Sequence, residues 1–239
     1  MRKLHKGGPC AKMRKMQRKV PFVEGEYYHV YNRGVERRKI FTSVSDYQRF
    51  LLLLLLGNTQ QAVRISDLNR HYSAQGRSLR DVFSEEIPQN TLVDVLSYCL
   101  MPNHVHLIIR EKEDDGISKF MSKVMTGYSM YFNKKYERSG ALFQGRFQAK
   151  HIDSDFYFRH IFSYIHLNPV DLFKSSWKED GFIDKKGAIN FLNEYGYSSY
   201  YDYFIGDRPE SSVIVQDDDL PWKDDVQIPE QLFDFYIEE

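Results

Sequence analysis

The chain has few cysteines, no long apolar run and no net charge. Only Cys10 and Cys99 occur in 239 residues, which excludes a disulfide-stapled scaffold and fits a reducing cytoplasm. The most apolar stretch, Leu51 to Leu56, is far too short to span a bilayer, so no membrane role is expected. The basic N-terminus meets Pro21 and Phe22 without the apolar region of a secretory signal. The 33 basic residues balance 33 acidic ones, but they are segregated. Residues 1–22 hold eight Lys or Arg and no acid, whereas residues 217–239 hold nine Asp or Glu and one Lys. A basic arm with an acidic tail suits a polyanionic partner, the tail competing for the arm. Two solvated, disordered ends are the equally weighted alternative. Between them, a chain that is 42% hydrophobic overall has ample material for a core.

No internal repeat is visible. Tyr27 to Tyr31 reads as an aromatic strand stopped by Asn32-Arg33-Gly34, and Asp46 to Leu56 as a helix ending at Gly57-Asn58. Residues 58–90 are polar and read as a long connection or insertion holding a short helix. Leu92 to Leu100 and His104 to Glu111, separated only by Met101-Pro102-Asn103, predict an antiparallel hairpin. Ile117, Phe120, Met121, Val124, Tyr128, Tyr131 and Phe132 repeat at helical spacing over 116–138. Residues 140–152 predict a loop and an edge strand. Asp153 or Ser154 caps a helix over 155–168 that Pro169 ends, and 184–195 predicts another helix before the aromatic string 195–204. The order implies an α+β fold, a small antiparallel sheet with helices packed on it. The chain divides into an arm (1–22), a domain (23–205) and an acidic tail (206–239).

Two motifs carry chemistry. In Met101-Pro102-Asn103-His104-Val105-His106-Leu107-Ile108-Ile109, His104 and His106 share one strand face while Val105, Leu107 and Ile109 share the other. Two imidazoles on one face make a divalent-metal pair, or else two partly buried structural histidines. On the helix around Tyr164, His160, Tyr164 and Asn168 lie four apart in a polar line, opposite Phe158, Phe162 and Ile165. A tyrosine there is a nucleophile if a metal polarises its electrophile, and a packing residue otherwise; Asn168 could complete a ligand set with the histidines. Tyr128 and Tyr131, on an apolar stripe, are weaker rivals. His160 and His166 read as solvated or capping residues.

In this order and spacing, Pro-Asn-His-Val-His-Leu-Ile, a helix, Gly145-Arg146-Phe147, then Tyr-Ile-His-Leu-Asn-Pro-Val resembles the HUH-type single-tyrosine transposases. More narrowly it is similar to the REP-associated tyrosine transposases and their insertion-sequence relatives, over Tyr27 to Val170 with an aromatic echo at 197–201. The resemblance implies a ferredoxin-like or RRM-like core, with His104, His106 and Asn168 binding Mg²⁺ or Mn²⁺. It makes Tyr164 the nucleophile that forms a 5′-phosphotyrosine with DNA and frees a 3′-hydroxyl. It implies an endonuclease and strand transferase for hairpin-bearing single-stranded DNA, active in DNA transposition and recombination at the nucleoid of a bacterial-type cytoplasm. Relatives exchange catalytic helices in dimers or work singly, so monomer and homodimer both stay open.

From Lys119 to Lys150 the basic residues Lys119, Lys123, Lys134, Lys135, Arg138, Arg146 and Lys150 face one acid, Glu137, and alternate with aromatics. That pattern suits phosphate contacts and base stacking, with Arg33 in the turn after the first strand as a further contact. Two other classes compete: a non-catalytic single-stranded nucleic-acid-binding module on the same sheet, and a histidine-triad hydrolase or transferase. The next alternate position of the strand is Ile108, where histidine-triad enzymes carry a third histidine, and this argues against the last.

Overall fold

The computed structural model describes residues 21–61, 65–85, 88–175, 177, 184–215 and 226–237. The body of the basic arm and much of the acidic run after 216 lie outside the described residues. The core is β1 (Tyr27–Arg33), α1 (Val44–Leu56), β2 (Val93–Met101), β3 (His104–Glu111), α2 (Gly116–Lys135) and β4 (Gln148–Ile152). The strands pair antiparallel in the order β2-β3-β1-β4, the ferredoxin-like arrangement of a βαββαβ chain.

Each face of the sheet has its own core. β3 alternates, so Val105, Leu107 and Ile109 are buried with α1 and α2, while Ile108 joins the opposite cluster. β2 breaks this rule with a bulge between Val95 and Ser97. The bulge reverses the phase, so Val93, Val95, Tyr98 and Leu100 all face α1 and α2, and Leu96, Cys99 and Met101 face the other way. That explains why β2 reads as a continuous apolar run: it is buried on both faces.

The second face is covered by α3 (Asp155–Leu167), whose Ser154 N-cap oxygen accepts from the Tyr157 N–H. Phe158, Phe162 and Ile165 are buried, as their spacing predicts. Short α4 (Val170–Phe173), α5 (Lys185–Glu194) and α6 (Tyr200–Phe204) complete this layer. Among its described residues the 58–90 segment has two helices rather than one, α7 (Ile65–Ala74) and α8 (Val82–Glu85), which lie on the α1 side. Two pieces of the stretch read as a tail are folded: a 3₁₀ turn (Pro209–Val213) and α9 (Pro229–Ile237). Leu232 and Phe233 of α9 are fully buried in the α3 cluster, and Glu210 pairs with Arg80 at 2.9 Å. Their apolar residues, interspersed with acids, are what anchor them.

Candidate active site

The strand register brings the histidines together before any ligand is considered. On β1 and β3, Tyr31 lies opposite His106, Arg33 opposite His104 and His29 opposite Ile108; on β4, Lys150 lies opposite His29. All of these occupy the α3 face. His104 and His106 have ring centroids 5.0 Å apart, and the Tyr164 ring of α3 meets His106 edge-on at 5.3 Å. Asn168, at the C-cap of α3, is buried and holds its Oδ1 3.1 Å from His104 Nε2. The four residues singled out from two distant motifs therefore converge at one place.

Asn103 decides the protonation of His104. Its Nδ2 donates to the Arg37 carbonyl at 3.3 Å, turning its Oδ1 toward His104 Nδ1 at 2.6 Å. An oxygen acceptor there calls for a proton on Nδ1, which in the neutral ring leaves the Nε2 lone pair toward the Asn168 oxygen. Two acceptors at 3.1 Å repel unless a second ring proton or a cation lies between them. The donor set thus fits a divalent ion. Among the described residues no group of three or more His, Cys, Asp or Glu could hold one, and this cluster is instead two histidines and an amide.

His29 is a site residue that the sequence reading leaves inside an aromatic strand. Its Nε2 is 2.8 Å from His106 Nδ1, and the two rings stack at 5.1 Å. Burial first, then the charges of Lys150 and His160, lower its pKa to about 4. Its signal was the alternation Tyr27, His29, Tyr31, a polar ring on the face that β3 also gives to histidine. Burial likewise raises the Tyr164 phenol, while a hydrogen bond with Asn168 acts in the opposite direction.

The rival tyrosines lie on the other face of the sheet. Tyr128 is fully buried and donates to the Ile40 carbonyl; Tyr131 donates to Asp46 Oδ1 at 3.1 Å. His166 departs from the solvated or capping reading: it is fully buried, 2.8 Å from Ser199 Oγ, and burial lowers its pKa to about 3. His160 stacks on Tyr236 of α9 at 5.7 Å, and the same Tyr236 lies over Tyr164 at 6.2 Å.

The basic residues separate into two groups. Arg33 and Lys150 are exposed on the histidine face, and Arg146 is exposed just before β4. Gly145 beside it has φ +89°, a left-handed conformation that glycine adopts without strain. Lys119, Lys123, Lys134 and Lys135 are on α2, across the sheet. Lys119 bonds Glu113 at 3.0 Å, and Lys123 bonds the Thr59 and Gln61 carbonyls. Lys135 bonds buried Asp46 at 2.7 Å, Arg138 bonds Asn133 at 2.9 Å, and Lys134 is exposed. A cavity of about 290 Å³ also lies on that side, between Arg49, Leu52, Leu79, Phe83 and Tyr131, remote from Tyr164.

No helix among the described residues is long and apolar enough to cross a membrane. The model of the family described as "Transposase IS200 like" matches residues 22–168. No curated protein matches the chain. A solved structure described as a REP-associated tyrosine transposase bound to a REP hairpin is similar at a TM-score of 0.44 and 15% identity, over 78% of this chain and 84% of that one.

Proposed function

The chain belongs to the IS200-like transposase family, and on that premise we propose that it nicks and rejoins single-stranded, hairpin-bearing DNA through a 5′-phosphotyrosine at Tyr164. The observation that carries this reading is the convergence of Tyr164 with His104, His106 and Asn168. His104, His106 and Asn168 would hold Mg²⁺ or Mn²⁺, whose charge would stabilise the scissile phosphate. Tyr164 Oη attacks phosphorus as its proton leaves, the bond to the 3′-oxygen breaks, and that oxygen takes up a proton. The reverse steps rejoin a strand, and because the phosphotyrosine conserves the bond no external energy source is needed. Burial favours the neutral phenol and the Asn168 hydrogen bond eases its ionisation. Exposed Arg33, Lys150 and Arg146 suit the flanking phosphates, and the arm adds affinity without sequence preference.

Membership of the REP-associated branch rests on Pro-Asn-His-Val-His-Leu-Ile and Tyr-Ile-His-Leu-Asn-Pro-Val in their order and spacing. On this reading the chain works at the nucleoid of a bacterial-type cytoplasm, as a monomer or a homodimer. The test is to incubate the chain with labelled hairpin DNA and Mn²⁺, denature, digest and analyse by mass spectrometry. A nucleotide on the peptide bearing Tyr164 is expected. Hairpin binding with no adduct in any divalent ion would replace the enzyme with a non-catalytic binding module.

A further inference from the structure

Asn103 sets the tautomer of His104 through a carbonyl-oriented amide. His106 has a corresponding partner on the neighbouring strand. His29 Nε2 stands 2.8 Å from His106 Nδ1, with both side chains buried, so one of these two nitrogens carries the proton between them. If His29 donated, His106 would hold its own proton on Nε2 and could not ligate a cation there. If His106 donates, its lone pair is at Nε2, as it is on His104. The second arrangement is the one a cation selects. The opposed acceptors of His104 and Asn168 mark where positive charge belongs, and the His106 ring is 5.0 Å from that of His104.

We infer that His29 is a positioning residue: it accepts from His106 Nδ1–H and, together with Asn103, holds both histidines of the His-Val-His pair in the Nδ1–H tautomer before any ion binds. Free histidine favours the Nε2–H form, so the site is held in the rarer form by two neighbours from outside the ligand set. A partner on the non-ligating nitrogen fixes ring orientation and basicity, and its loss typically weakens metal affinity about 10–100-fold. The inference rests on the metal-site reading above, and it assigns His29 no contact with DNA.

The test reads the tautomer without metal or DNA. Long-range ¹H–¹⁵N spectra of histidine-labelled, metal-free protein at mildly alkaline pH should show His104 and His106 both protonated at Nδ1. His29→Leu should return His106 to the Nε2–H form and leave His104 unchanged. Titration with Mn²⁺, followed by the electron-spin signal of the free ion, should show about 10–100-fold weaker binding by His29→Leu. His29→Gln sets an amide oxygen near the lost nitrogen and should recover most of that affinity, which a mere packing role would not explain. His106 protonated at Nε2 in the unaltered chain would overturn the inference, as would unchanged Mn²⁺ affinity in His29→Leu. The stated tautomers without Mn²⁺ uptake would uphold the locking and overturn the metal reading instead.

Discussion

Replacing Lys135 by methionine separates a structural lysine from a phosphate-binding one. Its ammonium donates to Asp46 Oδ1, Ser43 Oγ and Ser45 Oγ, each at 2.7 Å, and the Asp46 side chain is 0% exposed. Removing one partner of a fully buried pair costs about 3–5 kcal/mol, but the Lys135 side chain is 30% exposed. Asp46 keeps other donors, from Thr42 N and Oγ1, Ser43 N, Tyr131 and Tyr136, at 2.8–3.1 Å. The loss should therefore be smaller, about 2–3 kcal/mol in urea unfolding. It should also depend on pH. Burial pushes the Asp46 carboxyl up, but Lys135 and the hydrogen bonds from Thr42 and Tyr136 bring it down from 3.8 to about 2. A carboxylate depressed by folding contributes stability above its unfolded pKa and loses it as pH falls through the folded one. The gap between the two proteins should be full above 3.8 and close toward about 2. Hairpin affinity should keep its slope against log salt, whereas loss of a true phosphate contact would flatten it by about 0.7–0.9. A stability loss below about 1 kcal/mol together with a flatter slope would refute the structural assignment.

Tyr164→Phe keeps the ring contacts with His106 and Tyr236, so melting should stay within about 4 °C while adducts with labelled DNA vanish; a persisting adduct would move the nucleophile elsewhere. His106→Ala should abolish cleavage in Mg²⁺ and Mn²⁺ alike, whereas Asn168→Ala should lose the Mg²⁺-supported reaction and keep part of the Mn²⁺-supported one, because manganese takes nitrogen ligands more readily. Full Mg²⁺-supported cleavage by either variant sinks the three-ligand site. Deleting residues 1–22, with their eight positive charges, should flatten the salt dependence of binding and leave hairpin preference alone; an unchanged slope means that the arm does not touch DNA.

Periodicity made much of this legible. The alternation in β3 correctly separated His104 and His106 from Val105, Leu107 and Ile109, and the stripe on α3 correctly gave Phe158, Phe162 and Ile165 as buried, although Tyr164 packs on the same cluster rather than opposite it. What stayed hidden depended on pairing between distant segments. His29 meets His106 only once β1 and β3 are in register. Asn103 looked like a turn residue because its role depends on the Arg37 carbonyl. Lys134 and Lys135 are indistinguishable as sequence and both exposed, yet a buried carboxylate from α1 claims the ammonium of Lys135. Charge counting misread α9 in the same way: its acids face outward while Leu232 and Phe233 hold it down.

The order β2-β3-β1-β4 has a kinetic consequence. β1 comes first in the chain but is zipped between the last two strands made, so His29 and His106 meet only after a loop of some 75 residues closes. Such long-range pairing slows folding, because the closure entropy is lost before the contacts form. That cost grows only as the logarithm of loop length, about 0.6 kcal/mol per doubling. Residues 58–90 lie wholly within this loop, between α1 and β2. Lengthening or trimming them therefore changes closure by well under 1 kcal/mol, and leaves the meeting point of the two histidines where the strands put it.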